Sequence, residues 1–159
     1  GFQRASRPVF WKRSPVKMMK YLIDTNVLSE AVKTIPDKLV MNMLEKCQHE
    51  IVTAAPVWHE LQFGCQRLAR SRKREIIASF LNDVVKRTML ILPYDDRAAE
   101  WHAGERARLS SKGLTPSFVD GQIAAISVVN GLILVTRNID DFKQFLRLKI
   151  ENWHFPKSE

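Results

Sequence analysis

The fold is decided by the stretch Tyr21-Leu22-Ile23-Asp24-Thr25-Asn26, in which a short apolar run ends in three polar residues. Runs of the same kind follow at residues 51–53, 89–92 and 132–135, and a further possible edge strand lies at 149–153. Runs this short are typical of buried strands. The segments between them have apolar residues at helical spacing. Strands that alternate with helices predict an α/β fold, with parallel strands and helices on both faces of the sheet.

The helical segments have recognisable beginnings and ends. Pro36-Asp37 and Thr115-Pro116 are typical of helix starts, while Asn130-Gly131 is typical of a helix end. The charged stretch at residues 71–74 is predicted to be a linker. The predicted helices cover residues 27–33, 36–46, 56–70, 75–86, 95–111, 115–129 and 140–145.

The chain has the length of one domain. Of its 159 residues 45% are apolar, which is enough for a packed core and argues against disorder. We expect a single domain over residues 19–154 and a short tail over 155–159. Residues 1–18 mix Arg, Ser, Pro and bulky side chains without periodicity, so we expect a disordered extension or an expression remnant there. No apolar run approaches the ~20 residues of a membrane helix, so no membrane partner is expected.

The charge balance favours a polyanionic partner, nucleic acid above all. The net charge is +8, from 25 basic and 17 acidic residues. The first 20 residues hold six basic residues and no acid, which leaves +2 for the rest (8 − 6). Charge therefore supports a nucleic-acid partner without establishing it. Cys47 and Cys65 show neither metal-ligand spacing nor a disulfide framework, which indicates a reducing, cytoplasmic setting.

Three carboxylates stand where a negative charge is costly. Asp24 ends an apolar strand. Glu60 is the only formally charged residue between positions 50 and 67, and Asp120 the only one between positions 112 and 137. Such a carboxylate needs compensation, and none of the three has a cation nearby in sequence. A cation from a distant segment could compensate the charge of each one separately. Each residue also has an ordinary structural role open to it: Asp24 could be a turn cap, Glu60 a helix-surface residue and Asp120 an extension of the N-cap of its helix.

A shared divalent metal would compensate all three carboxylates at once. In parallel sheets ligands sit beyond the carboxyl ends of the strands, where Asp24 and residues 136–138 are expected. Oxygen-only ligands select a hard ion such as Mg²⁺ or Mn²⁺ rather than zinc. Other acids are interpreted as solvated helix faces or helix starts, namely Asp37, Glu45, Glu75, Asp83 and Glu105.

Four blocks of the sequence resemble one known family, in that family's order. The first block is residues 21–30. The others are Val57-Trp58-His59-Glu60-Leu61-Gln62-Phe63-Gly64, Asp120-Gly121-Gln122-Ile123-Ala124-Ala125 and Val135-Thr136-Arg137-Asn138-Ile139-Asp140-Asp141-Phe142. Together they resemble PIN-domain proteins, specifically the VapC-type toxins of bacterial type II toxin–antitoxin pairs, over residues 19–153. The resemblance implies a PIN-like α/β/α sandwich with a central, mostly parallel sheet of four to five strands.

The resemblance also implies an activity and a set of residues. It implies an RNA endonuclease that uses Mg²⁺ or Mn²⁺ to activate water, forms a homodimer and is held inactive by an antitoxin protein. Carried over by position, the catalytic and metal-binding acids are Asp24, Glu60, Asp120 and Asp141, with Asn138 as the other place where relatives carry the fourth acid. Hydrogen bonds from Thr25, Asn26, Thr136 and Asn138 are expected to orient them.

Basic side chains near these blocks are candidates for RNA binding. They are Arg67, Arg70 and Arg137, with Arg106 and Arg108 as further candidates. His59-Glu60 begins like a zinc-protease helix, but Phe63 occupies the place of the required second histidine. His102 and His154 are interpreted as surface or packing residues, and both cysteines as apolar fillers.

Two alternatives to a ribonuclease stay open. The chain could be a PIN module that binds RNA or an antitoxin with little catalysis, for which Asn138 leaves room. It could also be a nuclease of DNA flaps or single strands, because metal-assisted hydrolysis does not require a 2′-hydroxyl.

Overall fold

Parallel strands form the centre of the protein. The computed structural model describes residues 18–154. The strands within that range are β1 (Tyr21–Ile23), β2 (Ile51–Ala54), β3 (Leu90–Leu92), β4 (Ile133–Val135) and β5 (Lys149–Glu151). Their order is β3-β2-β1-β4-β5, and every pair of neighbours is parallel. The predicted α/β fold with a central parallel sheet is confirmed, and the possible edge strand is real.

Helices connect the strands. After β1 comes α1 (Thr25–Leu28), which runs into a 3₁₀ turn (Ser29–Val32) and is followed by α2 (Lys38–Lys46). After β2 come α3 (Ala55–Gln66) and α4 (Arg72–Ser79), the latter continued by a π-helical segment (Phe80–Val85) and a last turn (Lys86–Thr88). The remaining helices of the described range are α5 (Asp96–Ser111), α6 (Phe118–Val129) and α7 (Ile139–Phe142).

The central strands bring two distant parts of the chain together. β1 lies between β2 and β4, and Tyr21 is in register with Ile51 on one side and Ile133 on the other. All residues of β1 are buried, as expected for a strand that is covered on both faces. Because β1 and β4 are parallel, they end side by side. The residues that follow them, Asp24 and Thr136, therefore meet at one edge of the sheet.

Helix α6 is apolar over most of its length because its body is buried. It packs along α5, and its buried residues are Gly121, Ile123, Ala124, Ala125, Ile126 and Ser127. Asp120 lies in its first turn and is half-buried. The enclosed body of the helix fixes the position of this acid at its exposed end.

Several helix boundaries differ from the predicted ones. The predicted linker at 71–74 is mostly helix, because Ser71 Oγ accepts the Arg74 N–H at 3.2 Å and caps α4. Helix α6 begins after Ser117 rather than at Thr115, because Ser117 Oγ accepts the Asp120 N–H at 3.0 Å. Helix α3 ends at residue 66 instead of about 70, and α7 ends at 142 instead of 145.

The predicted extension and tail lie outside the described residues, apart from Met18, which is exposed. Across residues 18–154 the structure contains no helix with the length and apolar character needed to cross a bilayer.

Candidate active site

Asp24 is fixed where two strands end. Its backbone N–H donates to the Val135 carbonyl at 3.0 Å. Its Oδ1 accepts the Thr25 N–H at 2.8 Å and so caps α1, while its Oδ2 accepts the Thr136 hydroxyl, also at 2.8 Å. The residue is only 6% exposed. Asp24 is thus a turn cap, as the simpler interpretation had it, and also a buried acid with both oxygens oriented.

Thr136 joins the polar residues that follow β1 and β4. It is fully buried, and its Oγ1 donates to Asp24 while accepting the Asn138 N–H at 3.1 Å and the Asn26 amide at 3.4 Å. Asn26 Oδ1 in turn accepts the Arg137 N–H at 3.0 Å. These bonds connect the loop after β4 to the start of α1. They hold Thr136 in the orientation in which its hydroxyl donates to Asp24.

Glu60 reaches the same place from helix α3. The Thr25 hydroxyl donates to Glu60 Oε2 at 2.7 Å. Because the backbone N–H of the same threonine binds Asp24, Thr25 links two acids that are far apart in sequence. Glu60 is exposed, so it is the accessible member of this pair.

Asp120 and Asp141 approach from the other side. They line one open cleft of about 510 Å³, together with residues 113–117, Asp140 and Gln144. Burial raises the pKa of Asp120, and the negative charges of Asp141 and Glu60 raise it further, while the Ser117 hydrogen bond lowers it. Asp141 itself is exposed.

The four acids form one region of uncompensated negative charge. Burial raises the pKa of Asp24 to about 6, against an ordinary value of 3.8, and the charges of Glu60 and Asp120 also raise it. The hydrogen bonds from Thr25 and Thr136 act in the opposite direction. Within residues 18–154, no lysine, arginine or histidine forms an ion pair with any of the four. The alternative that a separate cation neutralises each acid is therefore excluded for the described residues.

The donor set fits a hard divalent ion in chemistry and in charge. All four side chains offer carboxylate oxygens, which such ions select. In the described part of the chain, no three Asp, Glu, His or Cys side chains converge closely enough as they stand to hold one ion together. The four acids therefore supply oxygen ligands and negative charge here without forming a closed coordination site.

Two interpretations of the helix α5 side chains were wrong. Glu105 is not a solvated residue: it is 6% exposed and accepts the Leu146 N–H at 2.6 Å. Arg108 is not free to bind RNA, because its guanidinium pairs with Glu105 at 2.5 Å and donates to the Gln144 carbonyl at 2.9 Å. The segment after α7 covers Glu105, while the Arg108 side chain stays 26% exposed. Glu105 and Arg108 therefore anchor the segment that follows Asp141.

The other basic candidates are exposed. Arg67 and Arg70 lie just after helix α3, and Arg137 follows Thr136. Arg106 lies over the Phe118 ring, 5.3 Å from its centroid. All four are accessible to a ligand, whereas the Arg108 guanidinium is already engaged by Glu105 and the Gln144 carbonyl.

Sequence reasoning missed a close contact behind Asp120. His102 is buried, as a packing residue should be, and its Nδ1 lies 2.8 Å from the Tyr94 hydroxyl. Its ring lies directly against Gly121, where an added Cβ would come within 2.1 Å of Nε2. A glycine next to a candidate catalytic acid was the available signal, since glycine permits close approach.

A second missed cluster lies near the end of the described chain. Glu30 is 3% exposed, and its carboxylate contacts Lys33 at 2.9 Å and His154 at 3.2 Å. These contacts lower the pKa of Glu30 and outweigh the opposing effect of burial. His154 is therefore a packing residue that ties the end of the described range to the 3₁₀ turn.

Comparisons with known proteins agree with this geometry. The PIN domain family matches residues 21–147. Ribonuclease VapC2 of Rickettsia felis is 31% identical over 136 residues, which cover 85% of this chain and 98% of that protein. The structure of FitAcB from Neisseria gonorrhoeae superposes with a TM-score of 0.77 at 26% identity, covering 84% of this chain and 97% of that one. VapBC2 from Rickettsia felis, bound to a DNA fragment from their promoter, gives 0.72 at 30% identity, covering 85% and 99%.

The family match includes all four acids and the threonines that hold Asp24 and Glu60. It extends over most of the chain, and the relatives are matched over nearly their whole length. The chain belongs to the PIN-domain family and, within it, to the VapC ribonucleases.

Proposed function

We propose that this protein is a metal-dependent endoribonuclease that hydrolyses RNA phosphodiester bonds, and that it is the toxin of a toxin–antitoxin pair. One observation carries the proposal: the buried Asp24 carboxylate has a pKa raised to about 6, and no basic side chain within residues 18–154 is paired with it. Perturbed acids of this kind are concentrated at functional sites. The ribonuclease name of the Rickettsia felis relative supports the same activity.

Asp24, Glu60, Asp120 and Asp141 are the acids that would bind Mg²⁺ or Mn²⁺. When bound, such an ion acidifies a water molecule for attack and neutralises charge on the phosphate oxygens. Asp24 is the fixed member, because hydrogen bonds orient both of its oxygens. Thr25 holds Glu60 beside it, and α6 brings Asp120 to the same edge. The protein thus supplies a negatively charged site and needs no covalent nucleophile.

We assign the fourth acid to Asp141 rather than to the position of Asn138. The charge of Asp141 raises the pKa of Asp120, and the two side chains line one cleft. The backbone N–H of Asn138 donates to Thr136, so the main chain at this position, rather than the side chain, helps to hold Thr136. Asp140 offers a matched comparison, because it is exposed next to Asp141 and pairs with Lys143.

Exposed arginines near the acids are the side chains that would contact RNA. The exposed side chains of Arg67, Arg70 and Arg137 would bind RNA phosphates, so binding should weaken steeply with salt. The resemblance to VapC-type toxins supports a cognate antitoxin as inhibitor, a homodimer as the assembled state and the cytoplasm as the location.

The test is cleavage of RNA by the purified full chain, with Mg²⁺ or Mn²⁺ and with or without EDTA. We expect cleavage that EDTA abolishes, that Asp24→Asn and Asp141→Asn abolish, and that Asp140→Asn preserves. DNA of the same sequence should remain intact. Full activity of Asp24→Asn in a clean preparation, or cleavage that persists in EDTA, would refute the proposal. Tight RNA binding without any cleavage would indicate the binding module instead.

A further inference from the structure

The exposed face of helix α3 carries a stack of planar side chains. His59, Phe63 and Arg67 follow one another at intervals of four residues, so they lie on one face of the helix. The His59 and Phe63 rings are stacked, with centroids 6.3 Å apart and planes inclined by 15°. The Arg67 guanidinium carbon lies 5.8 Å from the Phe63 centroid. All three residues are exposed, and Phe63 is 60% exposed.

This stack begins next to a candidate catalytic acid. His59 precedes Glu60 in the chain, and Phe63 lies about one helical turn, ~5 Å, further along the axis. A groove of about 360 Å³ joins the two regions, because Thr25, Glu60, Phe63 and Arg67 all line it. A ligand that lies in this groove would therefore be able to contact both Glu60 and the Phe63 ring.

The chemistry of the stack matches an unpaired nucleotide. Aromatic rings and guanidinium planes stack on nucleobases, and the stacking tolerates any sequence because every base has a π-face. The positive charge of Arg67 also complements a phosphate, while the neighbouring acids would repel one unless it arrived with a cation. A base inside a duplex is already stacked and could not use this surface.

We propose that His59, Phe63 and Arg67 form a stacking platform for an unpaired nucleotide of the substrate, next to the bond that is cut. This inference rests on the proposed ribonuclease function and assigns the side chains that would hold an unpaired nucleotide beside the acids. The base inserts between the Phe63 ring and the Arg67 guanidinium and stacks on both, Arg67 also contacts a phosphate, and His59 supports the Phe63 ring from the Glu60 side.

The test measures binding separately from cleavage. Full-length protein with Asp24→Asn, in EDTA, is titrated into a labelled single-stranded oligoribonucleotide, and into the same strand in a duplex, while fluorescence anisotropy is followed. Phe63→Leu retains an apolar side chain but loses the π-face, and we expect it to weaken single-strand binding between about 5- and 150-fold. Phe63→Trp should bind at least as tightly as the parent. Leu146→Ala, which alters an equally exposed apolar residue elsewhere, should have no effect.

Arg67 provides a second measurement. Arg67→Ala should weaken binding and reduce the slope of log affinity against log salt by about one, because one phosphate contact is lost. Arg67→Lys should keep the salt slope but lose affinity, because a lysine cannot stack.

The possible outcomes separate this inference from the proposed function. If Phe63→Leu binds single strands as tightly as the parent, or loses single-strand and duplex binding equally, the platform does not exist. If the unmodified chain cleaves RNA in an EDTA-sensitive way in either case, the proposed function stands without it. If the unmodified chain never cleaves RNA but Phe63→Leu selectively loses single-strand binding, the platform stands and the catalytic proposal fails.

Discussion

Replacing Asp24 with asparagine should stabilise the metal-free protein even though it should abolish activity. Asp24 is 6% exposed, and burial raises its pKa to about 6 from an ordinary value of 3.8. The difference of about two between these pKa values corresponds to ~3 kcal/mol, because one unit of pKa is worth about 1.36 kcal/mol. This is the free energy by which the folded state disfavours the ionised carboxylate. Asparagine carries no charge and avoids this cost.

The asparagine amide keeps one of the two hydrogen bonds. Its oxygen can accept the Thr25 N–H, but its nitrogen cannot accept the Thr136 hydroxyl. Loss of that bond costs about 1 kcal/mol. We therefore expect Asp24→Asn to raise the free energy of unfolding by about 2 kcal/mol near pH 7.5.

The pH dependence provides an internal check. Because the folded-state pKa is raised, the stability that Asp24 contributes is complete below pH 3.8 and is lost as the pH rises through about 6. At about pH 5, one unit below the folded-state pKa, the unmodified protein should have regained about 1.4 kcal/mol. The advantage of Asp24→Asn should therefore be below about 1 kcal/mol there.

Urea unfolding in EDTA, followed by tryptophan fluorescence at both pH values, measures these differences. Asp83→Asn removes an exposed acid and should leave the stability unchanged at both. Added Mg²⁺ should stabilise the unmodified protein and not Asp24→Asn. A variant that is less stable than the parent near neutral pH, or equally shifted at both values, would contradict the assigned burial cost.

Three further changes probe the surroundings of the acids. Gly121→Ala should lower the free energy of unfolding by about 1–3 kcal/mol, measured by thermal unfolding, because the added Cβ would overlap the His102 ring. Most of this loss should disappear when His102 is also replaced by alanine. An equal loss in both backgrounds would exclude the overlap. Glu105→Gln should cost about 2 kcal/mol in urea unfolding, because it breaks a largely buried ion pair. The pKa of Glu105 is lowered in the folded protein, so the unmodified protein should lose this stability as the pH falls. The unfolding free energy of the variant should therefore depend less steeply on pH at acidic values. Thr136→Val removes a hydrogen bond that lowers the pKa of Asp24. The rise of RNA-cleavage rate with pH on the acidic side should therefore shift to higher pH. An unchanged pH profile would mean that ionisation of Asp24 does not determine this rise.

The strands and the edge that carries the site were predictable from local patterns. Short apolar runs such as residues 21–23 have no polar face, which is typical of strands buried on both sides. The parallel arrangement then predicted that Asp24 and Thr136 meet, and their side chains do so at 2.8 Å. Local signals sufficed here because the topology of alternating strands and helices leaves few arrangements.

The errors arose where distant segments decide burial. Glu105 lies on a highly charged helix and looks solvated, but a backbone N–H 41 residues away covers it. Glu30 and His154 meet across 124 residues, which no local pattern reveals. The start of α6 was missed for another reason: Thr115 and Ser117 are both good N-cap residues, and only the hydrogen bond to Asp120 distinguishes them.

The insertion of β1 between strands that lie later in the chain sets the timing of activity during synthesis. A ribosome delivers Thr136 112 residues after Asp24. At about 5–20 residues per second, roughly 6–22 s separate the two, and during that time the nascent chain lacks the hydrogen-bond donor to Asp24 Oδ2. A chain that ends before Thr136 therefore lacks part of the candidate site, so we expect activity only after most of the PIN domain has been synthesised.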